Sequence, residues 1–453
     1  MKKIIIRSKN IALRSLKIND VNENYLNWFN DPLTKKFINY SPKNNLYKLK
    51  SDVKKLIDNK KNIILGIFTD KNKHIGNVRL HNINLKKSKA FLGILIGDKN
   101  WRGKGIGFQT IEMCANFLYN KFKITKIYLG TKINNKLAIN SYKNSGFIEY
   151  KKNKNDIFFY RDYFKSKIAI GTAQLGSDYG IGNKTGKMDK FNIKKIINTA
   201  QKNGMNFIET AQSYGTSEKI LGSLNKKNLK IITKLPLKNP TKNIKNWVFF
   251  SIKKSLKNLK IKKLHGLLIH NPKQLSGKTG KIIYRSLIEM REKKLINKIG
   301  VAVYSVEEIE NLLKKFHFDI VSIPFNIFDR RLVSSGLLKK LKNMNIQIFA
   351  RSIFLQGLLL MKKKQRPIYF NKWTKIFRGW DEFSKKSRNT RLENCLGYVL
   401  NYPEIDKIIL GFDNYRHFQN LVKSIKPIKI PKFTKKFDNN LSNPTMWSNK
   451  IYV

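Results

Sequence analysis

The sequence predicts an α/β protein in which a mixed α/β domain is followed by a (β/α)8 TIM barrel. From Lys167 onward, eight short β-rich runs alternate with lysine-rich segments whose apolar residues recur at helical spacing. Before Lys167, strand and helix patterns alternate with a different rhythm around one glycine-rich turn, RGKGIG. A doubly wound open sheet is the alternative for the second region. We favour the barrel because the phosphate fingerprint of an open sheet is missing after the first run, where the sequence reads GTAQLGSDYG.

The domain boundary is predicted between the two rhythms. The chain has 453 residues, which is too long for one compact core. A charged and aromatic stretch, Glu149 to Lys167, separates the two regions. We therefore expect a first domain over residues 1–163, a barrel over residues 167–430 and a C-terminal tail over residues 431–453.

The charge of the chain is strongly positive, with 92 Lys and Arg against 29 Asp and Glu and a net charge of +63. The lysines are scattered through every segment, and no nucleic-acid recognition motif accompanies them. This pattern is typical of the codon bias of an AT-rich genome, so we expect no specific nucleic-acid partner. A surface dedicated to polyanions remains the alternative.

The two cysteines, Cys114 and Cys395, lie far apart and have no clustered histidines near them. They predict neither a disulfide scaffold nor a metal site. The apolar run at the start breaks after three isoleucines, and no stretch approaches the roughly 18 apolar residues of a membrane span. We expect a soluble, cytoplasmic protein of undetermined oligomeric state.

The second region places polar residues at the ends of successive strands. The eight runs begin at Lys167, Met205, Leu229, Leu264, Asn297, Phe318, Ile346 and Ile405. Glu209 ends the second run, Lys234 the third and His270 the fourth, and Tyr214 follows the second. Each alone is more simply explained as a solvated or structural side chain. Because active sites of this fold lie at the carboxyl ends of the strands, the four together predict one site.

At these residues the region from about Lys167 to Ile425 resembles the aldo-keto reductase family. The matching stretches are GTAQLGSDYGIGNKTG, ETAQSYGTSEKILG, ITKL, LLIHNP and ILGFDNYRHFQNL. The resemblance implies carbonyl reduction, with the family's proton-relay tetrad of aspartate, tyrosine, lysine and histidine falling on Glu209, Tyr214, Lys234 and His270. One departure is that the aspartate is replaced by a glutamate, which is one methylene longer.

The tetrad chemistry explains these residue types. Reduction of a carbonyl leaves a developing alkoxide that a phenol can protonate if its pKa is pulled toward neutrality. We expect the Lys234 ammonium to lower the pKa of Tyr214 and Glu209 to hold that ammonium. His270 can hydrogen-bond the carbonyl oxygen and orient the substrate.

The resemblance also implies a nicotinamide cofactor, although three of the usual ligands are changed. The serine-asparagine pair that grips the carboxamide corresponds to Ala302 and Val303, and the assisting glutamine corresponds to Ser322. The positions expected to bind the cofactor near the end of the barrel are Gly411, Arg416 and Asn420. Because Arg416 suits a 2′-phosphate, we expect NADPH.

The glycine-rich turn RGKGIG lies between the predicted strand FLGILIG and a predicted helix. Such a turn presents backbone N–H groups and the positive end of the helix dipole to a phosphate. Glycine is also common in ordinary strand-to-helix connections, so the turn alone is a weak signal. The predicted phosphate-binding residues are Arg102, Gly103, Lys104, Gly105, Ile106 and Gly107.

This turn, together with NKLAINSYKNSGF, resembles the GCN5-related N-acetyltransferase (GNAT) family over the whole first region. The resemblance implies acetyl-CoA, with Asn135 near its pantetheine arm and Tyr142 protonating the departing thiolate. Many members carry a glutamate on the strand before the turn, but Phe91, Leu92 and Ile94 occupy the nearby positions here. Water or His81 could then deprotonate the amine, although His81 is more simply a surface histidine.

Both regions resemble enzymes, so the leading interpretation is a bifunctional enzyme of bacterial surface-glycan biosynthesis. The first region resembles amino-sugar acetyltransferases and ribosomal-protein N-terminal acetyltransferases. We expect it to acetylate an amino sugar, free or nucleotide-linked, while the barrel reduces a carbonyl compound. One alternative is a protein N-terminal acetyltransferase with a degenerate barrel acting as a scaffold. Another is a non-catalytic binding protein that docks to polyanions.

Overall fold

A computed structural model describes residues 4–8, 10–183, 185–224, 228–237, 240, 242–428 and 438–447. The chain divides into two compact units. The first unit comprises residues 1–166 and 202–204, and the second comprises residues 167–201 and 205–453.

The first unit is built on one mixed sheet. Its strands are β1 (Ile5–Arg7), β2 (Ile11–Ser15), β3 (Ile63–Thr69), β4 (His74–Asn84), β5 (Lys89–Ile96), β6 (Lys126–Lys132), β7 (Ile148–Lys152) and β8 (Asp156–Asp162). The sheet order is β1-β2-β3-β4-β5-β6-β8-β7, in which only β5 and β6 pair in parallel. The helices are α1 (Glu23–Asn27), α2 (Pro32–Phe37), α3 (Leu46–Asp58), α4 (Ile106–Phe122) and α5 (Lys136–Asn144).

The stretch from Glu149 to Lys167, interpreted above as a separator, mostly forms part of this sheet. It contains the end of β7 and all of β8. In β8 the side chains alternate between half-buried and buried, and Phe159 is fully buried. The high content of lysine and asparagine around this alternation hid the strand signal.

The second unit is a closed barrel. Its strands are β9 (Ile168–Gly171), β10 (Phe207–Glu209), β11 (Lys230–Lys234), β12 (Gly266–Ile269), β13 (Ile299–Ala302), β14 (Ile320–Pro324), β15 (Gln347–Arg351) and β16 (Ile405–Leu410). Each strand pairs in parallel with the next, and β16 pairs with β9 to close the ring. All eight predicted runs contain a strand, so the TIM-barrel prediction is confirmed and the open sheet was wrong.

Helices follow most of the barrel strands. They are α6 (Ala173–Gly176), α7 (Lys190–Lys202), α8 (Ser217–Gly222), α9 (Ile244–Leu259), α10 (Gly277–Glu292), α11 (Val306–Leu313), α12 (Arg331–Ser334), α13 (Leu337–Asn343), α14 (Thr374–Lys386), α15 (Arg391–Leu400), α16 (Tyr415–Lys423) and α17 (Asn439–Ser442). Side chains from several strands form one buried cluster in the barrel, consisting of Ala169, Phe207, Ile232, Leu268, Ile320 and Phe349. This packed core leaves the strand ends as the place for a site.

The predicted tail, residues 431–453, is folded where the structure describes it. Over residues 438–447 it carries α17, and the buried Trp447 packs edge-on against Phe370 with ring centroids 5.0 Å apart. The Trp373 indole also donates a hydrogen bond of 2.7 Å to Asp438. In the described part of the chain, no helix has the length and apolar character needed to cross a membrane.

Candidate active sites

The barrel rim brings the predicted tetrad together. Lys234, the last residue of β11, donates hydrogen bonds to Glu209 Oε1 and, at 2.7 Å, to the Tyr214 hydroxyl. Lys234 and Glu209 are 2% and 4% exposed, so this pair lies below the rim surface. The rings of Tyr214 and His270 meet edge-on with centroids 6.2 Å apart. The longer glutamate side chain therefore still reaches the lysine.

The loop that carries Tyr214 is held by a close backbone approach. A Cβ on Gly176 would lie 1.6 Å from the Tyr214 carbonyl oxygen, so only glycine fits there. Gly215 has φ of +53° and packs against the Gly176 carbonyl from the other side. The following helix α8 is anchored by the buried Glu218, which accepts hydrogen bonds of 2.7 and 2.8 Å from Thr233 and Ser255. The phenol is thus positioned before any substrate arrives.

The pKa values in this site follow from burial. Burial, together with the nearby Lys234 and Arg351 charges, lowers the pKa of His270 to about 3, so the imidazole is neutral at neutral pH. Burial also lowers the pKa of Lys234, and the positive charge of Arg351 contributes to the same lowering. The pKa of Tyr214 is raised, because burial outweighs the lowering effect of Arg351. The pKa of Tyr214 is therefore not pulled toward neutrality, contrary to the expectation from the tetrad chemistry.

Arg351 was missed by the sequence reasoning, although it obeys the same strand-end rule. It is the last residue of β15, and its charge lowers the pKa values of Tyr214, Lys234 and His270. Its guanidinium carbon lies 4.1 Å from the ring centroid of Tyr304, and its Nη2 donates a 2.9 Å hydrogen bond to the Val303 carbonyl. A check of the end of the seventh run, IQIFARS, would have identified it.

The predicted nicotinamide positions lie on neighbouring strands of the same barrel. Ala302 and Val303 are buried at and just after the end of β13 and offer no side-chain donor. Ser322 in β14 is fully buried, and its hydroxyl has no hydrogen-bond partner among the described residues. A buried hydroxyl without a partner is costly unless a ligand supplies one. These strands therefore suit a polar ligand, with Ser322 as its contact.

The positions predicted for the adenosine end follow β16. A Cβ on Gly411 would lie 2.5 Å from the Gln174 amide nitrogen, so a side chain there would displace Gln174. Arg416 and Asn420 are both exposed and stand one helical turn apart on α16, whose start is capped by Asn414. Their arrangement suits an anionic group at the helix start.

In the first unit, the glycine-rich turn has the open geometry that a phosphate site requires. Gly103 and Gly105 have φ of +73° and +79°, and a Cβ built on either would meet nothing within 4 Å. Gly105 is the N-cap of α4, which begins at Ile106. Gly107 lies within the first turn, where a Cβ would be 3.5 Å from Ser141 Oγ. The Lys104 ammonium lies 5.3 Å from the Trp101 ring centroid.

The side chain of Arg102 does not belong to this phosphate turn. Its guanidinium donates hydrogen bonds to Asp31 at 2.7 Å, to Thr34 at 3.2 Å, and to the carbonyls of Ile96 and Gly97 at 2.9 and 3.0 Å. This side chain is therefore engaged within the protein, and the phosphate contacts predicted for the turn are those of its backbone N–H groups. Through these four hydrogen bonds, Arg102 joins the end of β5 to the start of α2.

The parallel strands β5 and β6 separate at the middle of the sheet. They pair through Lys89–Phe91 and Lys126–Tyr128, whereas the rest of β5, up to Ile96, pairs only with β4 among the described strands. The far end of β5, which leads to the glycine-rich turn, therefore has backbone N–H and C=O groups on one edge that no described strand pairs. This separation was not predicted, because both strands have the pattern of ordinary buried runs in the sequence.

Asn135 and Tyr142 lie on the helix that follows β6. Asn135 caps α5 by accepting a 3.1 Å hydrogen bond from the Ala138 N–H, and its amide donates one of 3.1 Å to Thr131. Tyr142 is 8% exposed between Phe147 and Phe159, and burial raises its pKa to about 12. Asn135 thus has a structural role, while Tyr142 keeps its proton at neutral pH.

Phe91, Leu92 and Ile94 provide no carboxylate on β5, but His81 lies next to Phe91 on the neighbouring strand. His81 pairs with Phe91 across β4 and β5, and their rings are 5.7 Å apart. Phe91 is also the last residue of β5 that pairs with β6. Burial, aided by Arg79, lowers the pKa of His81, so its imidazole is available as a proton acceptor at neutral pH.

Comparisons with known proteins identify both units. Residues 167–436 match the model of the aldo/keto reductase family, and residues 10–148 match the acetyltransferase (GNAT) domain. A curated relative, the NAD(P)H-dependent 6′-deoxychalcone synthase of Glycine max, is 28% identical over 159 residues, which cover 30% of this chain and 49% of that protein. The chain thus spans about half the length of this relative.

Two solved structures each match a little more than half of this chain. The holo form of an aldo-keto reductase from Bacillus halodurans has 16% identity and a TM-score of 0.48, and the match covers 59% of this chain and 92% of that one. A glycerol dehydrogenase from Gluconobacter oxydans has 18% identity and a TM-score of 0.43, with 60% and 95% covered.

Proposed function

Since this chain belongs to the aldo/keto reductase family and also carries a GNAT acetyltransferase domain, we propose that it is a bifunctional enzyme. Its first unit transfers an acetyl group from acetyl-CoA to the amine of an amino sugar. Its barrel reduces a carbonyl compound with NADPH. The observation that carries the reductase assignment is the contact of one buried lysine, Lys234, with both Glu209 and Tyr214 at the strand ends.

The barrel residues divide the proton chemistry among them. NADPH, when bound, supplies the hydride that adds to the carbonyl carbon. Tyr214 donates its phenolic proton to the carbonyl oxygen, which completes the alcohol, and Lys234 returns a proton to Tyr214 through their 2.7 Å hydrogen bond. The lowered pKa of Lys234 makes that return easier, and Glu209 fixes the amine in position. The neutral imidazole of His270 hydrogen-bonds the carbonyl oxygen.

Three groups on the barrel suit the proposed cofactor. The unpartnered hydroxyl of Ser322 can bond the carboxamide in place of the ligands that Ala302 and Val303 do not provide. Arg416 and Asn420 would hold the adenosine end, and the guanidinium favours a 2′-phosphate.

The residues of the first unit suit acetyl transfer. Acetyl-CoA, when bound, supplies the acetyl group. The open turn of Gly103 and Gly105 gives its pyrophosphate backbone N–H donors at the start of α4. His81 accepts the proton of the acceptor amine, and Tyr142 donates its proton to the departing thiolate.

An amino sugar is proposed as the acceptor because an acetylase and a carbonyl reductase on one chain suit the synthesis of acetamido sugars. This step rests on economy of organisation. On the same reasoning, we propose that the enzyme acts in surface-glycan biosynthesis in the cytoplasm.

Isotope transfer tests the acetyltransferase. The full chain is incubated with labelled acetyl-CoA and a panel of nucleotide amino sugars, free amino sugars and peptides with free N-termini, and the acetylated product is identified by mass. We expect label on an amino sugar. Label on peptides alone would instead make the first unit a protein N-terminal acetyltransferase.

The reductase is tested by NADPH binding and by the Glu209→Asp variant. We expect the parent to bind NADPH more tightly than NADH, as measured by cofactor fluorescence. Glu209→Asp shortens the side chain that reaches Lys234, so a loss of turnover is expected if the site is adapted to glutamate. Failure of both proteins to bind NADPH at millimolar concentration would leave the barrel as a binding scaffold.

A further inference from the structure

Arg351 differs from nearly all of the partly buried arginines in the described structure. Nine described arginines are buried or half-buried, and seven of these form a salt bridge with an aspartate or glutamate. Among the described residues, Arg330 and Arg351 have no such partner; Arg330 lies in the loop after β14, and Arg351 is the last residue of β15. Every Asp and Glu of the chain lies within the described part. Partial burial of a cation without a carboxylate partner carries a desolvation free-energy penalty, which an anionic ligand would offset.

The guanidinium of Arg351 is fixed in place. It stacks on Tyr304, with 4.1 Å between its central carbon and the ring centroid, and Nη2 donates to the Val303 carbonyl at 2.9 Å. Its main-chain carbonyl accepts a 3.0 Å hydrogen bond from the Phe325 N–H. A guanidinium has five N–H donors, so several remain for a ligand. A planar fork held in this way is suited to bidentate binding of a carboxylate or phosphate.

The backbone after Arg351 is held in an unusual conformation. Ser352, Leu355 and Gln356 all have φ between +45° and +58°, which is rare for residues with a side chain. The Ser352 carbonyl accepts a 3.1 Å hydrogen bond from the Asn326 amide, which ties this loop to the one after β14. Strained backbone of this kind concentrates at ligand sites, where it positions a particular group.

The groups that Arg351 influences are those of the proposed reduction. It is close enough to Tyr214, Lys234 and His270 to act on each electrostatically. His270 is neutral and Tyr214 keeps its proton, so neither carries a charge. The carboxylate of Glu209 is already engaged by Lys234 and does not compensate Arg351. The mouth of this site is therefore left with an unbalanced positive charge.

We propose that Arg351 binds an anionic group, a carboxylate or a phosphate, on the carbonyl substrate of the barrel. This inference rests on the proposed reductase function and adds the chemical class of the substrate. Arg351 acts as a specificity-determining residue, since the anion it holds orients the carbonyl toward Tyr214.

Paired substrates that differ in charge test the proposal in the full chain. The pairs are 4-carboxybenzaldehyde with benzaldehyde, and glyceraldehyde 3-phosphate with glyceraldehyde. We expect the parent to favour the anionic member roughly 10- to 100-fold in kcat/KM, as one charge-assisted hydrogen-bonded contact allows. Arg351→Met should lose this preference mainly through the KM of the anionic member, while its NADPH dissociation constant stays unchanged. The ratio of the two members is compared within each protein, because loss of the Arg351 charge also alters the pKa values of Tyr214, Lys234 and His270. Arg351→Lys should restore part of the preference.

Arg285→Met is the matched control, because Arg285 is an exposed arginine on α10. It corrects for the general attraction of anions to so basic a protein. Equal preference in the parent and in Arg351→Met would overturn the proposal. Weaker NADPH binding by Arg351→Met, with the preference intact, would also overturn it by assigning Arg351 to the cofactor.

A binding measurement separates this inference from the reductase itself. Inorganic phosphate and malonate are titrated into the parent, Arg351→Met and Arg285→Met by calorimetry. Loss of one binding site in Arg351→Met alone supports the anion site even if the parent reduces no carbonyl in the panel. Identical titrations of all three proteins would refute it.

Discussion

The neutral state of His270 makes the barrel sensitive to acid, and this can be measured. The ordinary pKa of 6.5 falls to about 3 in the folded protein, because the ring is buried and faces Lys234 and Arg351. As the pH falls, the His270 imidazole is therefore protonated near pH 6.5 in the unfolded chain but only near pH 3 in the folded chain. Stability from this group is fully present above pH 6.5 and is lost as the pH falls through that window.

The magnitude follows from the size of the shift. Each pKa unit corresponds to 1.36 kcal/mol, so acidification from pH 7 to pH 5 should cost about 2 kcal/mol through His270. For a domain of this size, that amounts to a fall in Tm of roughly 4 to 8 °C. Burial also lowers the pKa values of His74, His81 and His265, so the parent alone does not isolate the effect.

The assay compares variants at the two pH values. His270→Gln removes the titrating group and keeps a polar side chain, so its loss of Tm between pH 7 and pH 5 should be smaller than that of the parent. His317→Gln is the matched control, because His317 is an exposed histidine of the same barrel. Calorimetry gives the two Tm values for each protein. If His270→Gln and the parent lose equal stability, the imidazole is not held neutral and its proposed role with the carbonyl oxygen fails.

Three further variants test the two sites. Tyr214→Phe removes only the phenolic oxygen, so it should leave NADPH binding intact and lower the turnover of a carbonyl substrate at least about a hundredfold; retained turnover would exclude Tyr214 as the acid. Gly105→Glu places a carboxylate in the open turn and should abolish acetyl-CoA binding in calorimetry. The control is Gly336→Glu, at a left-handed glycine of the barrel with equally open surroundings, which should bind acetyl-CoA as the parent does. Equal binding by both variants would disprove the phosphate turn. Arg102→Met leaves Asp31 without its cation and should lower the free energy of unfolding by about 1–3 kcal/mol; weaker acetyl-CoA binding without a loss of stability would contradict the structural role of Arg102.

The alternation of strands and helices could be predicted from the sequence, because each barrel strand is a short apolar run buried on both faces. The ends of the strands could be predicted for the same reason, and their positions put Glu209 and Lys234 at the same rim of the barrel. β8 was missed, since Phe159 and its neighbours alternate within a segment whose lysines and asparagines suggested a connection.

Residue types by themselves did not predict the environment of the sites. Arg102 lies in the glycine-rich turn by sequence, yet its side chain is used by Asp31, a residue 71 positions earlier in the chain. The pKa of Tyr214 depends on burial and on Arg351, which comes from a different strand. Neither effect follows from spacing along the chain.

Periodicity and strand order are local properties, and they were enough to predict two units, a barrel in the second unit and four titratable residues at its strand ends. The compensation of charges, by contrast, was set by the tertiary structure. It engaged Arg102 with Asp31, left Arg351 without an acid among the described residues and opened the sheet between β5 and β6. Compensation and desolvation depend on which distant segments fold against one another, and no local pattern encodes that.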